Sequence, residues 1–232
     1  MHEPFCEDLE SCSQERARPS SIVKVGFLFE SALVLVALGL GHWLQQSAWQ
    51  NLLGPTLWKT LQAVGIGLLA TAPMLGVLVI TRRLPYAPVR QLCQLVDEQL
   101  MPLFAEASLM GLLLLSLAAG FGEEMLFRGV LQDWLANWLE GDSAPWVALL
   151  LVSLLFGVCH WVTTAYAVFA AIIGLYLGIL YWVSGSLLTA VVAHAAYDFV
   201  ALVWLLQTRP VAEGSEAAEK KAAVPEDRRS RT

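Results

Sequence analysis

The sequence predicts an all-α, polytopic integral membrane bundle of about six transmembrane helices, and three observations carry that expectation. Of 232 residues, 57% are hydrophobic and only 15% charged, where a water-soluble domain carries about a quarter charged residues; the mean hydropathy is +0.60. Residues 143–197 contain no Asp, Glu, Lys or Arg, and a run of about 18 such residues already suffices to cross a bilayer. A buried helix of a soluble protein normally keeps a polar face, which this run largely lacks. The third observation is the basic residues: all 14 Lys and Arg except Lys59 and Arg128 fall into three clusters separated by apolar segments.

Residues 1–21 are polar and read as a cytoplasmic tail without fixed structure. The first span runs from Ile22 to Trp43 and carries one oddity, Glu30, which the sequence reads as snorkelling to the interface. It lacks a small-residue cleavage site, so it reads as a span and not as a secretory signal. The second span covers residues 60–80 and is closed by Arg82 and Arg83. Residues 84–104 mix Leu, Val and Phe with Arg90, Asp97 and Glu98, the pattern of a helix lying along the membrane surface. The third span starts near Ala107 and carries Glu123 and Glu124 at or near its end. Residues 129–143 then read as an interfacial connection anchored by Trp134 and Trp138. Residues 145–163, 165–183 and 186–206 supply spans four to six, with room for a broken or re-entrant helix to alter the number. The Ala, Glu, Lys and Arg-rich segment 207–232 reads as a disordered tail. The chain thus divides into a tail (1–21), a membrane domain (22–206) and a second tail (207–232).

The basic clusters set the orientation. Arg16, Arg18 and Lys24, then Arg82, Arg83 and Arg90, then Arg209, Lys220, Lys221, Arg228, Arg229 and Arg231 all share one side of a six-span topology. The positive-inside rule places that side, and both termini, in the cytoplasm of a multi-pass cell-membrane protein. No basic patch suited to nucleic acid occurs. Cys6, Cys12, Cys93 and Cys159 show neither disulfide nor metal spacing. An inverted repeat of the transporter kind is missing too, which weakens that alternative.

Ionisable residues inside spans are costly and usually functional. Here they form three short patterns: Glu123, Glu124 and Arg128 in AGFGEEMLFRG; Phe156 and His160 in FGVCH; His194 and Asp198 in HAAYD. Glu124 and Arg128 lie four apart and share a helix face, whereas Glu123 points about 100° away. One carboxylate can therefore be held while the other stays free. A structural ion pair with a spare acid accounts for the first pattern as well, and a polar clip between helices for the third. Taken together, two imidazoles and two free carboxylates from three separate helices are the usual equipment for activating water.

At these residues the sequence resembles the intramembrane proteases that include the type II CAAX prenyl endopeptidases and their prokaryotic abortive-infection and bacteriocin-immunity relatives. The resemblance covers roughly residues 105–206 and rests on EExxxR (Glu123, Glu124, Arg128), FxxxH (Phe156, His160) and Hxxx(N/D) (His194, Asp198), in that order. It implies a metal-independent endopeptidase without a covalent intermediate, acting on lipid-modified or membrane-associated peptide substrates among membrane lipid. In that reading Glu123 is the general base, His160 positions the water, Glu124, Arg128 and Phe156 support them, and His194 and Asp198 hold the developing oxyanion.

Position 198 departs from the prenyl-protease branch, where asparagine stands. An ionised aspartate cannot donate a hydrogen bond to an oxyanion, so Asp198 either is protonated or acts by fixing His194. Zinc also uses Glu and His, but EExxxR is not the HExxH of zinc proteases, and Arg128 is an unfavourable neighbour for a cation; no metal or other cofactor is expected. The rival to an enzyme is a membrane scaffold or immunity-type protein whose polar motifs lock helices together. With six simple spans, Glu123 and His160 fall toward opposite membrane faces, which a tilted or re-entrant third span would remedy.

Overall fold

The computed structural model describes residues 19–208. The tail segments 1–18 and 209–232 lie outside the described residues. Residues 19–21 and 207–208, expected in the tails, belong to the first and last helices.

Among the described residues the fold is all-helical. In order it forms α1 (Pro19–Trp43), α2 (Leu57–Arg83), α3 (Ala87–Leu95), α4 (Leu109–Glu124), α5 (Asp133–Trp138), α6 (Ala144–Cys159), α7 (Thr164–Ser184) and α8 (Leu187–Thr208). A π-helical turn, Val96–Leu100, and a 3-10 turn, Met101–Phe104, extend α3, and a longer π-helix, Met125–Gln132, joins α4 to α5. Side-chain caps begin several helices: Thr56 accepts from the Lys59 amide (3.2 Å), Ser108 from Gly111 (3.0 Å) and Thr163 from Tyr166 (3.1 Å), each satisfying an amide the helix leaves open. Gly185, at φ +60°, closes α7 in the left-handed conformation that glycine takes without steric cost.

Among the described residues five helices are long and apolar enough to cross a membrane, and α6, at 16 residues, is a shorter apolar helix beside them. This is the multi-span membrane bundle that the composition predicts. Large apolar side chains such as Trp43, Leu69 and Val183 stand exposed on its outside, as expected where the solvent is lipid.

The third span departs from expectation. It does not end at the paired acids: α4, the π-helix and α5 form one apolar helix of 30 residues, Leu109–Trp138. The proposed interfacial connection 129–143 is therefore helical as far as Trp138. Its acid Asp133 accepts a 2.6 Å hydrogen bond from the Tyr181 hydroxyl of α7 instead of facing water. The expected fourth span is likewise shorter, because α6 stops at Cys159 and leaves His160 at its C-terminal cap.

Helices α4 and α8 form the centre, with α1 against α4, α2 against α8 and α6 against α7. Small residues permit the approach. A Cβ at Gly120 would stand 2.9 Å from the Ala195 amide nitrogen, and one at Gly122 would collide with the carbonyl oxygen of Glu30. The amphipathic segment after α2 folds against α1, α7 and α8, burying Leu92 and Met101. A bidentate pair between Arg82 and Asp97 (2.7 and 3.1 Å) fastens it to the end of α2.

Candidate active site

Helix α4 delivers the two acids in different directions, and their surroundings differ accordingly. Glu124 is fully buried, and its Oε1 meets Arg128 Nη1 at 3.1 Å and His194 Nδ1 at 2.8 Å. Arg128, one helical turn on, is 1% exposed. It also donates to the Gly174 carbonyl of α7 (2.8 Å), and its guanidinium lies 4.7 Å over the Phe156 ring. Gln132 repeats the reach one turn later, donating to Gly178 at 3.3 Å. Glycines at both α7 positions leave room for these side chains. A removed partner would strand a charge away from water, so the network is stable only when complete.

Phe156 is the organiser of the second pattern. Its ring stacks on His160 (centroids 4.4 Å apart), meets His194 edge-on (6.1 Å) and packs on Phe127 (5.0 Å). Its carbonyl oxygen lies 2.8 Å from His160 Nδ1. Both imidazoles are thereby oriented. A carbonyl and a carboxylate can only accept, so Nδ1 of each ring carries the proton, and each Nε2 is turned inward.

Both Nε2 atoms converge on the second acid. Glu123 Oε2 stands 3.7 Å from His160 Nε2 and 4.0 Å from His194 Nε2. It has no accessible surface and no hydrogen-bond partner. Separations of this size are too long for direct hydrogen bonds. Asp198 approaches the same corner, with Oδ2 3.5 Å from His194 Nε2. The sequence-derived residues Glu123, Glu124, Arg128, Phe156, His160, His194 and Asp198 thus lie in one cluster. Glu123 and His160 meet because Glu123 sits mid-way along a 30-residue helix and α6 ends early.

The cluster opens onto a cavity of about 900 Å³ whose wall includes Glu123, His160, His194 and Asp198. The remaining lining is mostly apolar, from α1, α7, α8 and the segment after α3. The wall also carries polar residues outside the three motifs, among them Glu30, Tyr166 and Tyr197. Glu30, the acid within the apolar first span, is partly buried and lines the cavity, with its Oε2 inaccessible. Tyr166 and Tyr197 also line the cavity, and no spacing in the sequence pointed to them. Among the described residues, no group of three or more His, Cys, Asp and Glu side chains is arranged to hold a metal ion.

The fold and the cluster define a class: a polytopic helical membrane protein with a buried carboxylate and imidazole centre facing an apolar cavity. Residues 105–200 match the family model described as type II CAAX prenyl endopeptidase Rce1-like, the same family that the motifs resemble. The matched segment holds α4 through the first part of α8 and every motif residue. No curated protein and no solved structure matches the chain significantly.

Proposed function

We propose that the protein is an intramembrane endopeptidase of the glutamic, metal-independent type, cleaving lipid-modified or membrane-associated peptides with a water that Glu123 activates. The observation that carries this reading is the free Glu123 Oε2, held between two inward-facing imidazole nitrogens at the wall of a large cavity. A water placed there hydrogen-bonds to Glu123 and His160. Glu123 takes its proton as the oxygen attacks the peptide carbonyl, and later returns that proton to the leaving amine. His194, in the imidazolium form, donates Nε2–H to the oxyanion, while Glu124 and Asp198 flank the ring and balance its charge. The 3.5 Å approach of Asp198 to His194 supports a role through the histidine over direct donation to the oxyanion. By the positive-inside rule, the distribution of basic residues in the sequence favours a cytoplasmic side for both termini.

The second reading is a non-catalytic membrane scaffold or immunity-type protein. The complete burial of the Glu124 and Arg128 pair favours it, since that pair alone ties α4 to α7 and α8. A scaffold leaves Glu123 without a task. Incubating the purified protein, its Glu123→Gln variant and its His160→Ala variant with a peptide library separates the two. Cleavage by the parent alone is expected, and cleavage by neither parent nor variants would leave the scaffold.

A further inference from the structure

Four of the five tyrosines lie on α7 and α8, and they are of two kinds. Tyr176 donates its hydroxyl proton to the Ala70 carbonyl at 2.8 Å, and Tyr181 donates to Asp133 at 2.6 Å. That is the usual state of a phenol packed inside a protein. Tyr166 and Tyr197 differ. Both line the cavity, and among the described residues neither hydroxyl has a hydrogen-bond partner. Tyr197 is only 8% exposed, yet its hydroxyl oxygen, like that of Tyr166, keeps accessible surface, unlike Oε2 of Glu123. Two buried rings thus present their single polar atoms to the cavity.

Their placement is set by the helices that carry them. Tyr166 sits in the first turn of α7, where Thr163 caps its amide at 3.1 Å, and its ring stands edge-on to His160 with centroids 6.3 Å apart. Tyr197 follows His194 by three positions and so shares its face of α8. The acids whose charge reaches them are Asp198 for both phenols and Glu123 for Tyr166. A neutral phenol donates a hydrogen bond where an ionised carboxylate cannot. A peptide drawn out for cleavage has given up its helical hydrogen bonds, and in an apolar cavity its carbonyls need donors from the wall. The other candidates are spoken for. Arg82 is bound by Asp97 and Arg128 by Glu124; Thr81 donates within its own helix, and the Ser116 hydroxyl is inaccessible. With His160 and His194 engaged by the water and the oxyanion in the proposed mechanism, the two phenols are the accessible donors left beside that corner.

We infer that Tyr166 and Tyr197 form a main-chain clamp, their hydroxyls donating to carbonyl oxygens of an extended peptide next to the bond to be cleaved. This deepens the protease reading and rests on it for the fate of the peptide, though not for its binding. The test uses the full chain in detergent, carrying Glu123→Gln so that binding is read without cleavage; cleavage of the same peptides by wild type is followed in parallel. The probes are fluorescent Leu and Ala-rich peptides, one all-amide and a series in which a thioamide replaces one carbonyl oxygen at a time with a poorly accepting sulfur. Sulfur at one or two neighbouring positions is expected to weaken binding about fivefold. Adding Tyr166→Phe or Tyr197→Phe should shrink the penalty at one such position to less than about twofold. Partition into detergent is common to all variants and cancels in that comparison. Tyr176→Phe, which removes a hydroxyl that does not line the cavity, should leave every penalty in place. A parent that binds none of the peptides, or binds all of them alike, overturns the inference, and so do penalties that persist in both folded Phe variants. Unfolding of both Phe variants overturns it as well, because a hydroxyl free of protein partners is dispensable to the fold. The two readings fail separately. The clamp signature without cleavage by wild type overturns the protease and leaves this inference standing, whereas cleavage with penalties indifferent to Tyr166 and Tyr197 does the reverse.

Discussion

The Nδ1 of His194 lies 2.8 Å from Oε1 of Glu124, the oxygen that also receives Arg128 at 3.1 Å. One buried carboxylate oxygen thus joins residues 70 positions apart in the chain and turns the far side of the imidazole toward Glu123. In the proposed mechanism the second acid of the pair supports the first: it aims a histidine and pairs with the arginine.

Replacing Glu123 with Gln keeps the shape and removes the proposed base. Peptide cleavage should fall by about 10³-fold, the range of a lost general base, with an unchanged elution profile in detergent. A variant that cleaves normally would place the base elsewhere.

Arg128 tests the buried pair. Arg128→Met leaves Glu124 in an apolar interior without its ion partner, so stability should drop by about 3–5 kcal/mol. Thermal unfolding in detergent reads this directly. Glu124→Gln with Arg128→Met should recover part of the loss, because both charges are then gone.

Asp198→Asn distinguishes two roles for that side chain. Acting through His194, as the 3.5 Å separation supports, the carboxylate is needed, and kcat should fall by at least about tenfold, equivalent to about 1.4 kcal/mol of transition-state stabilisation. Equal or higher activity would instead favour direct donation to the oxyanion.

Phe156→Leu retains apolar volume but removes the ring that stacks on His160 and lies under Arg128. The His160 imidazole then keeps only its bond to the backbone carbonyl. A fall in kcat of about tenfold, with KM little changed, is the expected signature of misorientation. An unaltered kcat would reduce Phe156 to packing.

The Arg82 and Asp97 clasp predicts a local effect. Arg82→Gln should raise hydrogen exchange across residues 87–104, which border the cavity, while exchange in α4 and α8 stays low. Uniformly raised exchange would mean that the clasp stabilises the whole bundle.

Much of this molecule is legible in one dimension because a lipid solvent imposes simple rules. A span must be long and apolar, so α2, α7 and α8 can be located from hydropathy, and an ionisable group inside a span stands out against its neighbours. The seams are less legible. Hydropathy falls after Glu124, and the polar and aromatic residues from Asp133 onward read as an interface. The helix continues nonetheless, with Arg128 and Gln132 each donating to a carbonyl of α7 and Asp133 accepting from Tyr181. A contact made across 46 to 48 positions leaves no periodic trace in a local window. The place of Glu30 on the cavity wall left no local trace for the same reason, since it depends on α4 packing against α1.

By itself the sequence determined the membrane setting, the helical class and the identity of the polar residues, because burial of charge in lipid is exceptional enough to mark them residue by residue. Only the tertiary structure decided which of those residues meet. The continuation of α4 past its acids, the early end of α6 and the cavity beneath α1 bring Glu123, His160, His194 and Glu30 to one wall. Hydrogen bonds and packing between helices far apart in the chain fix that arrangement, and each depends on a partner that neither residue's own neighbourhood can reveal.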